Sequence, residues 1–296
     1  MKVLRSEFIV SASALALFGC KTARDDDVAV RFGMVTDLHY AKLPVSGSGP
    51  LRRCYEQSVE KLRRCVETMN RRQVDFLIEL GDITDQRAVV PKPEVLSCLD
   101  EIESEFRRFE GPCYHLLGNH DNEQMTKREF LAHVANAGQA MTSGHYSFAV
   151  NGVTFIALDA NFNSRMEDYA PGNWDWTDAN VPDWELDWLE RTLAETSDPV
   201  IVLGHQRLDP AAEPRHLVKN AAAVRDVIER SGKVLAVLTG HQHDGGFCRC
   251  NGIPYYTLRA LVNGSLPASN SFAEVEVRRS GRLGVTGYAE ALSRDL

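Results

Sequence analysis

The sequence predicts an α/β protein in which two sheets pack together with helices outside. Three observations carry that expectation. In the first 120 residues, short apolar runs alternate with longer stretches of helical period, the pattern of βα units on a largely parallel sheet. Asn151-Gly152 between two apolar runs is a hairpin signal, so the pairing turns antiparallel there. Further strand patterns then follow up to a closing hairpin, and the whole is read as one domain spanning residues 28–296.

The elements follow in order. Val28 to Thr36 is a buried strand. After a Pro/Gly/Ser loop, Leu51, Cys54, Tyr55, Val59, Leu62, Cys65, Val66 and Met69 fit one face of a helix. Val74 to Leu80 is the second strand, Val95 to Phe109 a helix, and Pro112 to Leu117 the third strand. His145 to Val150 and Val153 to Leu158 form the hairpin. A loop rich in Asn, Asp and Trp, Asn161 to Pro182, precedes a helix over Asp183 to Glu195, with Asp183 as its cap after Pro182. Strands at Val200 to Leu203, Val234 to Thr239 and Ile253 to Leu258 follow, with a helix over Ala221 to Arg230 after the first. Ser271 to Val277 and Leu283 to Gly287 close the fold as a hairpin.

Composition bounds the function. Hydrophobic residues at 44% and charged residues at 25% are those of an ordinary globular protein. A formal charge of -8 with scattered Lys and Arg offers no basic field for nucleic acid, and small substrates are expected. Residues 1–20 differ from the rest: Lys2 and Arg5 precede an apolar run from Phe8 to Phe18 that ends at Gly19-Cys20. This is too short to span a membrane as a mature helix and reads as an export signal of lipoprotein type, placing the chain in the periplasm or cell envelope with Cys20 as the lipidated residue. Residues 21–27 form an acidic linker. Of the remaining six cysteines, Cys54 and Cys65 fall on the helix face as buried thiols, and Cys248 and Cys250 form a loop pair in which a disulfide is an alternative.

The best buried strands stop at polar clusters: Asp37-Leu-His39, Gly81-Asp82, Gly118-Asn119-His120-Asp121, Gly204-His205 and Gly240-His241-Gln-His243. The ends of strands are where α/β sheets place their sites, and the glycines allow the sharp turns that aim the next side chain into a crevice. Two divalent ions about 3.5–4 Å apart need a bridging carboxylate and several oxygen or imidazole ligands. Asp82 is the natural bridge. Asp37, His39 and His243 suit one ion; Asn119, His205 and His241 suit the other. Manganese is favoured, with iron or zinc as alternatives, and a hydroxide held between the ions is the expected nucleophile. His120 is left over as proton donor to the leaving oxygen, with Asp121 fixing its tautomer. His115, His133, His145 and His216 lie outside the clusters and are read as core or surface histidines. Trp184 and Trp188, four apart on a helix, are read as packing residues, and the loop pair Trp174 and Trp176 as candidates to stack a base.

These five clusters, in this order over residues 32 to 258, resemble the calcineurin-like metallophosphoesterase family. The resemblance implies a four-layer α/β/β/α sandwich of two mixed sheets and the same ligand roles. Gly33-Met-Val-Thr-Asp37-Leu-His-Tyr40, Arg52-Arg53-Cys-Tyr55, Gly240-His-Gln-His-Asp244-Gly-Gly246 and Gly264 to Asn270 are similar to the manganese-dependent ADP-ribose/CDP-alcohol diphosphatases, although His39 stands where that subgroup tends to carry Gln. This implies hydrolysis of nucleoside diphosphate conjugates. A broad phosphomonoesterase, a cyclic-nucleotide phosphodiesterase and a noncatalytic metal-binding envelope protein are the alternatives. Arg52 and Arg53 are candidates to grip a phosphate remote from the metals.

Overall fold

The computed structural model describes residues 27–85, 90–137 and 139–296. The export segment, Cys20 and the linker before Asp27 lie outside the described residues. In chain order the elements are β1 (Val28–Val35), α1 (Ser58–Arg72), β2 (Phe76–Glu79), α2 (Lys92–Phe106), β3 (Cys113–His115), α3 (Lys127–His133), β4 (Ala135–Asn136), β5 (Gln139–Ala140), β6 (Tyr146–Val150), β7 (Val153–Ala157), α4 (Asp183–Glu195), β8 (Val200–Leu203), α5 (Ala221–Ser231), β9 (Val234–Thr239), β10 (Gly246–Cys250), β11 (Ile253–Thr257), β12 (Phe272–Arg278), β13 (Leu283–Tyr288) and β14 (Arg294–Asp295).

They build four layers. One sheet runs β14-β13-β12-β1-β2-β3, and the other β10-β11-β9-β8-β7-β6. Both are mixed: β1, β2 and β3 are parallel in the first, β7, β8, β9 and β11 in the second, and antiparallel strands flank each group. Alternation along β1 shows why the layers form. Val30, Phe32 and Met34 enter the core shared between the sheets, where Phe32 stacks on Phe76 at 4.8 Å and meets the edge of Phe155 at 5.4 Å. Val35 faces α1 and α2, joining Leu62, Val66 and Met69. Gly33 lies on that same face, and a Cβ there would stand 2.7 Å from Met69 Sδ, so glycine lets α1 ride close to the sheet. On the far side, Leu189 and Leu193 of α4 and Val224 and Ile228 of α5 cover Ile156, Val202 and Val237. Strands covered on both faces read as continuous apolar runs, which is how they were recognisable in the sequence.

Three expectations need correction, and one helix was not anticipated. The first helix begins at Ser58, not Leu51: residues 49–51 and 55–57 form single 3-10 turns, and Leu51 is 45% exposed. Asp183 is not the cap of α4; extended Pro182 occupies that position and Asp183 is the first helical residue. Cys248 and Cys250 lie on a strand, β10, rather than in a loop, and both are free thiols. The segment at 127–133 is a helix that apolar periodicity did not reveal; a reciprocal capping box of Thr126 and Glu129 starts it.

Candidate metal centre

The carboxyl ends of β1, β2, β3, β8 and β9 meet at one edge of the sandwich, and the backbone there is bent beyond what most side chains tolerate. Asp37 (φ 52°), His39 (φ 45°), Asp82 (φ 60°) and His241 (φ 68°) all occupy the left-handed region. Each costs about 1–2 kcal/mol relative to ordinary backbone and persists only where its surroundings over-determine it. Here they do: Asp37 N donates to Gly81 O at 3.0 Å, His39 N to Asp82 O at 2.9 Å, and His241 N to Asp37 Oδ2 at 2.9 Å. Gly118 admits no side chain, because a Cβ would lie 2.0 Å from the Asp82 nitrogen.

The side chains converge as two sets of ligand atoms. Within each of Asp37/His39/His243 and Asp82/His205/His241, one donor atom per residue lies within 4.8 Å of the others. Asp82 stands between the sets: its Oδ2 is 3.2 Å from His205 Nε2 and 3.5 Å from His39 Nε2, while Oδ1 accepts from His120 N at 2.7 Å. Asp37 Oδ1 lies 3.4 Å from His243 Nε2 and 3.6 Å from His39 Nε2. Asp37 Oδ1, the Asn119 amide, His205 Nε2 and His241 Nε2 are buried with no hydrogen-bond partner. Stranding that many polar atoms costs several kcal/mol. Divalent cations would satisfy the oxygens and ring nitrogens among them, and a set of carboxylates, amide oxygen and imidazoles suits mid-first-row ions.

Neighbours aim the donors. His205 Nδ1 donates to Leu80 O at 2.8 Å, and His243 Nδ1 lies 3.2 Å from Asn263 Oδ1, so each presents Nε2 inward. Asp85 Oδ2 is 3.4 Å from His39 Nδ1, and Thr36 Oγ1 donates to Asp37 Oδ2 at 2.7 Å. Burial opposes ionisation of Asp37 and Asp82, but the surrounding imidazoles more than offset it and hold both carboxyls well below their usual range. Burial likewise opposes charge on His39 and His205, yet Asp37 and Asp85 pull His39 up to about 9, and Asp82 pulls His205 up to about 10. Burial prevails at His241 and His243: the first is held well below its ordinary value, with the charge of His205 adding to the effect, and the second falls to about 4. Bound cations would take over the balancing charge and leave His39 and His205 neutral, as imidazole ligands must be.

All seven residues read from the sequence as ligands are brought together here, and His120 stands beside them. His120 is 16% exposed at its side chain, and one ring nitrogen belongs to a third convergent group with His39 and Asp82. Asp121, however, does not serve as its carboxylate partner. It is fully buried and turned the other way, accepting from the backbone N–H groups of Asp82, Thr84 and Gly118 at 2.9, 3.2 and 2.9 Å, so it clamps the β2 and β3 turns together. The carboxylate next to His120 Nδ1 is Glu123, at 3.4 Å.

A cavity of about 480 Å³ opens over the cluster. Arg53 lines it, with Nη1 3.4 Å from Asp85 Oδ2; Arg52 does not, its guanidinium donating instead to Ser265 Oγ at 2.8 Å. The long loop delivers Trp174 and Trp176 to the wall of this cavity. Trp174 Nε1 donates to Asn119 O at 2.5 Å, its ring is 5.1 Å from His120, and Trp176 is 5.8 Å from His241. His216, expected to lie apart, joins this wall with its ring centroid 5.1 Å from that of His241. Sequence reasoning also missed Asp85, Glu123 and Asn263. The first two sit three residues beyond recognised cluster residues, a spacing that could have flagged them; Asn263 carried no local signal. Trp188 packs against His145 as expected, whereas Trp184 meets the same ring but is 50% exposed.

A family model described as calcineurin-like phosphoesterase matches residues 30–245, and the chain belongs to that family. It is a metal-dependent hydrolase of phosphate esters with two divalent ions. A manganese-dependent ADP-ribose/CDP-alcohol diphosphatase of Arabidopsis thaliana is 28% identical over 303 aligned positions, covering 89% of this chain and 96% of the relative. A protein of the same name from Oryza sativa subsp. japonica is 27% identical, covering 83% and 87%. The crystal structure of a dimetal phosphatase from Danio rerio superposes with a TM-score of 0.79 at 22% identity, covering 91% of this chain and 99% of that one, so the fold is shared.

Proposed function

We propose that this calcineurin-like phosphoesterase is a diphosphatase that splits nucleoside diphosphate conjugates of the ADP-ribose or CDP-alcohol type with manganese. The observation that carries the reading is the lining of the cavity, in which the Arg53 guanidinium and the Trp174 and Trp176 rings stand beside the ligand cluster. A phosphomonoester needs no such extension. A diphosphate conjugate does, because a second phosphate calls for a fixed cation and a base or alcohol for a ring face. The names of the Arabidopsis and rice relatives point the same way.

In this reading Asp37, His39 and His243 hold one ion, Asn119, His205 and His241 the other, and Asp82 lies between them. Ions bound there supply the charge that polarises the phosphoryl group and makes water acidic enough to attack at neutral pH. The chain's own residues do the rest. Arg53 grips the phosphate remote from the ions, the Trp174 and Trp176 rings orient the conjugate, and His120 hands a proton to the leaving oxygen. Glu123, 3.4 Å from His120 Nδ1, supplies negative charge that favours the protonated ring.

The test is a panel of ADP-ribose, a CDP-alcohol, a cyclic nucleotide and a simple phosphomonoester, each assayed with manganese, iron, zinc and magnesium. The diphosphate conjugates with manganese are expected to have the highest kcat/KM. A higher value for the phosphomonoester or the cyclic nucleotide would replace this reading. We also propose that residues 1–20 export the chain and that Cys20 carries a lipid; in cells, Cys20→Ala would then move the mature protein from the detergent phase to the aqueous phase.

A further inference from the structure

Lys61 is fully buried on the inner face of α1, yet its ammonium faces three backbone carbonyls instead of a carboxylate. It donates to Leu261 O at 2.7 Å, Asn263 O at 2.8 Å and Gly264 O at 2.9 Å. An ammonium has three N–H donors, and all three are used. Burying a charge is expensive, and a methionine of similar length would fill the same space without that cost. The geometry of the target segment supplies a reason for the charge. Residues 261–264 run beside the end of β1, where Leu261 N donates to Thr36 O at 3.0 Å and Val262 N to Asp37 O at 3.1 Å. Asn263 sits in this segment and holds His243 twice, its Oδ1 being 3.2 Å from His243 Nδ1 and its Nδ2 donating to His243 O at 2.9 Å. Asn263 also bridges to Arg53 through the backbone.

We propose that Lys61 is a positioning residue for the metal centre: by gathering the three carbonyls it locks the 261–264 segment, and through Asn263 it fixes the direction of His243 Nε2. The segment lies outside any helix or strand; backbone bonds tie Leu261 N, Val262 N, Val262 O and Gly264 N, and the buried ammonium ties the carbonyls of Leu261, Asn263 and Gly264. This rests on His243 being a ligand, as proposed above.

Binding of Mn²⁺ alone to the metal-depleted full chain, followed by titration calorimetry, separates the possibilities without recourse to turnover. Lys61→Met is expected to weaken one of two sites by about 10–100-fold, the usual effect of losing a partner behind a ligand, and to leave the other unchanged. Met69→Ala, a core change further along the same buried face of α1, where the side chain packs under Gly33, is expected to leave both sites intact while lowering the melting temperature. Equal weakening by Met69→Ala, or unchanged binding in folded Lys61→Met, overturns the proposal. Should Lys61→Met fail to fold, Asn263→Ala decides: it cuts the relay without touching the charge and must weaken the same site, and unchanged binding there overturns the proposal. His243→Ala identifies the site concerned; if it leaves both sites intact, the ligand assignment has failed instead.

Discussion

Two clusters of buried histidine and carboxylate lie close together at the β2 and β3 end of the first sheet, and they do opposite things. In one, His115 of β3 has Nε2 3.0 Å from Glu103 Oε2 of α2 and Nδ1 3.9 Å from Glu79 Oε2 of β2, with all three residues buried. Burial opposes charge on His115, but Glu103 and Glu79 together pull it up to about 9, so the cluster carries its own cation. Burial pushes Glu79 up to about 7, while Glu103 is held below its ordinary value by His115 and Arg107 against the effect of burial. The other cluster begins four residues later on the same chain segment, at Asn119. Its donors converge on shared points from strained backbone, and two of its imidazoles are held neutral. Residue type does not distinguish the two. What distinguishes them is geometry: only the second gathers donor atoms from several residues onto shared points, and only there is the backbone forced into the left-handed region to do so.

Substitutions can break that contrast. The largest effect is expected for Asp82→Asn, which removes the carboxylate common to both ion positions. Losing several kcal/mol of charge stabilisation corresponds to roughly 10³-fold or more in kcat, and elemental analysis should find the metal content reduced. Full metal content with normal turnover would place the bridge elsewhere. His120→Ala should lower kcat by about 10²–10⁴-fold while the metal content stays at its wild-type level. If metal content falls in parallel, His120 belongs to the ligand set and not to proton transfer.

On the other side of the comparison, His115→Gln should leave metal content and turnover near wild type and cost about 3 kcal/mol of stability by stranding buried Glu103, read by denaturant unfolding. A loss of metal in this variant would merge the two clusters into one functional unit. The smallest effect is its pH dependence. The folded His115 value of about 9 lies above the ordinary 6.5, so its contribution is full below pH 6.5 and is lost as pH rises through 9. The stability difference between wild type and His115→Gln should therefore shrink between pH 6.5 and 9.5. A difference that stays constant over that range would show that His115 is not held as a cation.

Much of this was legible in the sequence because it is local. A strand covered on both faces must be a continuous apolar run, and a residue aimed out of the strand's end must follow it at once, so Asp37, Asp82, Asn119, His205 and His241 announce themselves by position. The hairpin at Asn151-Gly152 is legible for a similar reason: the turn residues and the flanking runs are neighbours in the chain, and β6 and β7 pair across them. Asp121 misled because adjacency in sequence is not direction in space; beside His120 in the chain, it is turned into the β2–β3 turns by three backbone N–H groups. The start of α1 was misplaced because Leu51, Cys54 and Tyr55 keep helical spacing through two 3-10 turns, and spacing alone cannot show where the hydrogen bonding changes.

What the sequence determined by itself is the sandwich and the donor set, since apolar period and strand-end chemistry are properties of short stretches. Only the tertiary structure decided which neighbours aim those donors. Glu123 rather than Asp121 stands at His120, Arg53 rather than Arg52 reaches the cavity, Trp174 arrives from 55 positions away in the chain to meet the Asn119 carbonyl, and Lys61 reaches the segment behind His243 across 202 positions to the Asn263 carbonyl. Such partners are set by how the layers and their loops pack, and a contact between residues so far apart leaves no periodicity in the chain to be read.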